Sequence, residues 1–149
     1  MTAIANAAGL LWAIGLLWGA ASYVSLPVFT VMPTIMTAFF APGLVLMAMV
    51  VWQGARGAQA AQGVVLETGL QLVLALAIWP AAAVLLGAEG PGVIVSLGLG
   101  FALAQLVFWV GGSLSPALRT FGFAATVCPT VLVALWALWR VVAGMMAAG

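Results

Sequence analysis

The chain has 149 residues, 67% hydrophobic and 3% charged, with three Arg, two Glu and no His, Asp or Lys. An ordinary soluble domain carries about 25% charged residues, so this composition describes an integral membrane protein. It excludes zinc sites and catalytic triads on inventory, and a net charge of +1 offers no basic patch for nucleic acid.

A helix crossing a hydrocarbon core of about 30 Å needs roughly 20 apolar residues, whereas barrel strands would alternate apolar and polar positions. The apolar runs here are long and continuous, which predicts helices. The first covers residues 7–24. No Lys or Arg precedes it and it exceeds a signal core of about 7 to 15 residues, so it reads as a retained span. Its Gly15 and Gly19 form a GxxxG pair suited to close helix approach, and Trp12 and Trp18 offer a surface for a partner.

The segment 25–33 contains Pro27 and Pro33, and a second run follows over 33–52. A broken unit made of the first two runs would lower the count to four spans. Residues 53–62 collect Gly54, Arg56, Gly57, Gln59 and Gln62, as a water-facing turn should. The third run, 63–86, carries Glu67 about 6 Å from its start, close enough to the interface to snorkel or meet a partner. Gln59, Gly63, Glu67 and Gln71 recur every four residues and so share one face. A polar stripe on an apolar helix should face protein, either as interhelical glue or as a ligand-binding face.

A glycine-rich turn over 87–92 holds Glu89 and Pro91, and the fourth run spans 93–110 with Gln105 inside it, again glue or ligand contact. Residues 111–120 read as a reversal containing Gly111, Gly112, Ser113, Ser115, Pro116 and Arg119. The fifth run covers 121–142, where Cys128 beside Pro129 reads as packing and Arg140 as a charge snorkelling at a helix end. Five spans place Arg56, Glu67 and Arg119 at one face and Glu89 and Arg140 at the other. The arginine distribution then puts the amino terminus in the cytoplasm and the carboxyl terminus outside. Trp52, Trp79, Trp109, Trp136 and Trp139 fall near run ends, as interfacial anchors should.

Four stretches in series, AFFAPGLVLMAM (38–49), LETGLQLVLALAIWPAA (66–82), GFALAQLVFWVGG (100–112) and SPALRTFGFAATVCPT (115–130), resemble the bacterial branch of the MAPEG family, membrane-associated proteins in eicosanoid and glutathione metabolism. The resemblance implies an all-α fold: a polytopic four-helix antiparallel bundle over residues 31–149, with an extra amino-terminal helix over 1–30. It also implies a homo-trimer in the bacterial inner membrane, with glutathione as the one cofactor it admits, bound between subunits near the cytoplasmic face.

The family's signature of an arginine, an asparagine and a glutamate falls on Gly63, Glu67 and Leu70, and its glutathione-holding arginine and tyrosines fall on Gln105, Phe108 and Gly112. The arginine that stabilises the thiolate falls on Arg119, which is present. Each lost clamp removes a charge-assisted contact worth about 1.5 to 3 kcal/mol, and the carboxylate of Glu67 repels an anionic ligand unless paired. Two readings follow. In one, the chain is a non-catalytic structural or accessory subunit, within a homo-oligomer or a larger membrane complex. In the other it is a divergent glutathione-dependent transferase or peroxidase, with Arg119 as its catalytic residue and Glu67, Gln71 and Gln105 positioning the ligand. A transporter or lipid-binding protein is a third, and it would ask for more intramembrane charges than Glu67.

Overall fold

The computed structural model describes residues 2–26, 31–56 and 62–148. Among them there are six α-helices and no strand: α1 (Thr2–Tyr23), α2 (Val31–Ala38), α3 (Phe40–Arg56), α4 (Gln62–Leu85), α5 (Gly90–Leu114) and α6 (Pro116–Ala148). A 3-10 turn, Gly87–Glu89, joins α4 to α5. α2 and α3 together make one span, so five helical units are long and apolar enough to cross a membrane. The protein is an all-α bundle whose apolar exterior suits lipid. Helices are the solution because hydrocarbon offers backbone groups no partner, and a helix satisfies them within the segment.

α5 is the most buried span and touches all the other helices. α1 lies along α6 for much of its length, through a stripe of Ala5, Gly9, Ala13, Leu17 and Ala20. A Cβ on Gly9 would stand 2.5 Å from the Cβ of Ala124, so the missing side chain is what lets the two backbones approach. The expected pair Gly15 and Gly19 lies on another face, with nothing within 4 Å of either. Within the chain it is the Gly9 face of α1 that packs on α6.

The break between α2 and α3 follows from Pro42. Its ring removes one N–H and displaces the bond that the Ala38 carbonyl would accept, and the helix turns at Phe39. That carbonyl packs onto Gly98 of α5, where any Cβ would collide with it. α4 closes at Gly87, whose φ of 62° lies in the left-handed region that terminates helices with little cost for glycine.

The expected reversal over 111–120 is almost entirely helical. α5 runs to Leu114, only Ser115 is extended, and α6 starts at Pro116, with the Ser115 hydroxyl accepting the Ala117 N–H at 3.3 Å. Proline at the first helical position and serine before it form an N-cap, which compresses the turn to one residue. The far end of α6 likewise extends beyond the expected 142 to Ala148.

The apolar core surrounds Trp79, which is fully buried, stacked on Phe39 at 5.0 Å and edge-on to Phe101 at 5.8 Å. Leu17, Ile35, Ile94, Leu97 and Val133 complete it. Trp79 is therefore no interfacial anchor; its indole N–H donates to the Thr130 hydroxyl at 3.3 Å inside the bundle.

Candidate functional site

Successive spans reverse direction, so α4 and α6 run the same way and begin at the same face. This brings Glu67 near the start of α4 to Arg119 near the start of α6, joined at 3.3 Å with both side chains about half exposed. Arg119 is the fourth residue of α6, where the helix dipole disfavours a cation, and the Glu67 carboxylate compensates. The Arg119 guanidinium also stands 5.5 Å from the centroid of the Phe108 ring. Glu67, Phe108, Arg119, Thr120 and Phe123 line an open cavity of about 290 Å³.

One turn deeper on each helix lies a polar cluster. Gln71 follows Glu67 by four residues on α4, Gln105 precedes Phe108 by three on α5, and Thr126 follows Phe123 by three on α6. Thr68 donates to the Gln105 carbonyl oxygen at 3.0 Å, and Gln105 donates its amide N–H to the Gln71 carbonyl oxygen. The Thr126 hydroxyl lies 2.9 Å from that same Gln71 oxygen and 2.8 Å from the Phe123 carbonyl. Gln71 is 7% exposed and Gln105 1%. These amides tie α4, α5 and α6 together where no water competes.

The Gln71 Nε2 is buried and has no acceptor among the described residues. An amide fills nearly the same envelope with oxygen and nitrogen exchanged. With both glutamines reversed, Gln71 donates to the Gln105 oxygen and to the Thr126 hydroxyl, which in turn donates to the Phe123 carbonyl. Gln105 then donates to Thr68. In that arrangement the Gln71 amide has two acceptors, while its carbonyl oxygen and the Thr68 hydroxyl hydrogen are left without a partner inside the cluster.

The structure thus joins Glu67 with Arg119, and Gln71 with Gln105, as two separate layers. Of the predicted stripe, Gly63, Glu67 and Gln71 do share a face of α4, while Gln59 lies outside the described residues. The Arg56 side chain lies outside them as well. Thr68, Thr126, Thr120 and Phe123 went unnoticed in the sequence. Thr126 and Thr130 sit four apart on an apolar helix, which was a readable signal of a hydroxyl-bearing inner face. At the opposite face Arg140 pairs with Glu89 at 2.7 Å instead of snorkelling alone. Among the described residues no cluster of His, Cys, Asp or Glu could hold a metal ion.

The chain matches no protein-family model, no curated protein and no solved structure.

Proposed function

We propose that the chain is a non-catalytic structural or accessory membrane subunit built on a MAPEG-like bundle. One observation carries this reading: the groups that would have to serve glutathione are already engaged with one another. The Arg119 charge is matched by Glu67, and the Gln71 and Gln105 amides bond to each other and to Thr68 and Thr126 behind the Phe108 and Phe123 rings, whose centroids stand 6.4 Å apart. A ligand with two carboxylates would meet a paired site with no net positive charge, and seating it would mean breaking bonds the bundle uses. In this reading the subunit sits in a bacterial inner membrane with its amino terminus in the cytoplasm, as a trimer or within a larger complex.

The cavity of about 290 Å³ beside Arg119 favours the alternative, a divergent glutathione-dependent transferase or peroxidase in which Arg119 stabilises the thiolate. Calorimetry of glutathione against the detergent-purified protein, with Arg119→Ala alongside, separates the two. The structural reading expects no binding heat up to millimolar glutathione. Binding that Arg119→Ala weakens would overturn it in favour of the enzyme.

A further inference from the structure

We propose that the two ion pairs act as a depth gauge: they seat the bundle in a bilayer with a hydrocarbon core about 30 Å thick and keep the apolar end of α6 out of it. Glu67–Arg119 joins α4 to α6 at one face, and Glu89–Arg140 joins the α4–α5 turn to α6 at the other. Along α6, Arg119 and Arg140 are separated by about 32 Å at 1.5 Å per residue, close to the thickness of the hydrocarbon core. All four side chains are between 39% and 47% exposed, so they reach the exterior of the bundle, where a charge is tolerated in the headgroup layer and costly in hydrocarbon.

Other contacts fall at the same two levels. Gly111 packs against the backbone of Arg119, which puts the end of α5 level with the first pair. Trp109 lies two residues before it and meets Trp52 edge-on at 6.1 Å, so two indoles mark that interface. At the second level Trp139 adjoins Arg140 and is exposed.

Beyond Arg140, α6 continues through eight more residues to Ala148, about 12 Å, with Val142, Met145 and Met146 exposed and no charge. Hydropathy alone would draw this end into lipid. Moving it inward carries both members of the Glu89–Arg140 pair into hydrocarbon, while the opposite shift does the same to Glu67 and Arg119. The bundle is held from both sides, and the partner this surface fits is a bilayer of matching thickness.

The test uses the full chain with Cys128→Ala and one reporter cysteine, in phosphatidylcholine nanodiscs of increasing acyl-chain length, with a water-soluble maleimide as the probe. Gly144→Cys reports the end of α6, at an exposed position with nothing within 4 Å, and Val131→Cys reports its lipid-facing middle. The gauge predicts fast, lipid-independent modification at 144 and at least about tenfold slower modification at 131. Adding Glu89→Leu and Arg140→Leu together should slow modification at 144 by about tenfold in the longest lipid, whereas the reversed pair Glu89→Arg with Arg140→Glu should keep the parent rate. Modification at 144 that is slow in the parent, or that falls as the lipid lengthens, overturns the proposal without any charge variant. An unchanged rate in the apolar pair does so as well.

Discussion

Gln105 of α5 and Gln71 of α4 share an amide hydrogen bond at a depth where neither reaches water, and Thr68 and Thr126 hang from its two ends. Buried polar groups contribute asymmetrically: a made bond adds little net stability, whereas a broken one leaves its partner desolvated. Gln105→Leu should therefore destabilise the protein by about 1 to 3 kcal/mol, because Gln71 and Thr68 lose their partner together. The double variant Gln71→Leu with Gln105→Leu should cost less than the sum of the single changes. Unfolding in mixed micelles with increasing dodecyl sulfate measures all three, and strict additivity would show the two amides to be independent.

Two glycines on α1 should behave oppositely. Gly9→Ala puts a methyl group 2.5 Å from the Ala124 Cβ, an overpacking expected to cost about 1 to 3 kcal/mol. Gly15→Ala meets open space and gains about 0.5 to 1 kcal/mol from the lower backbone entropy of the unfolded chain. The same micelle titration on both variants checks the ordering; equal effects would contradict the packing of α1 on α6.

The Glu67–Arg119 pair is half exposed, and pairs of that kind contribute about 0 to 1 kcal/mol. Glu67→Gln should leave stability within about 1 kcal/mol of the parent, well short of the loss at Gln105. Added salt should narrow even that difference. A loss as large as that of Gln105→Leu would place the pair in a far drier setting than its exposure indicates.

Trp79 separates packing from hydrogen bonding. Trp79→Phe retains an aromatic ring against Phe39 and Phe101 but loses the N–H bond to Thr130, and should cost about 1 kcal/mol. Trp79→Ala empties the centre of the core and should cost about 3 to 5 kcal/mol. Thermal unfolding followed by circular dichroism ranks the two.

Much of the architecture was legible in the sequence. Apolar runs of membrane-spanning length predict five helices, and alternation of direction alone puts Glu67 beside Arg119 and Glu89 at the end where Arg140 lies. The ends of the helices were harder to read. Gly111 and Gly112 look like turn residues because glycine weakens helices in water. The helix nonetheless continues through Gly111 and Gly112 to Leu114 and resumes at Pro116, with Gly111 packed on the backbone of Leu118 and Arg119, a contact between helices that the local sequence does not show.

The sequence by itself determined that this is a membrane protein with four or five spans and, for five, which charges share a face. Only the tertiary structure decided which side of each helix packs within the chain: the Gly9 face of α1, a core tryptophan at 79, and Gln71 and Gln105 bonded to each other. The reason is physical. A soluble helix declares its inner face by being apolar against a polar exterior, but lipid is as apolar as a protein core, so hydrophobicity does not separate inside from outside. What separates them here is fit between small residues and backbones, and the pairing of a few polar groups, both of which depend on the neighbouring helix.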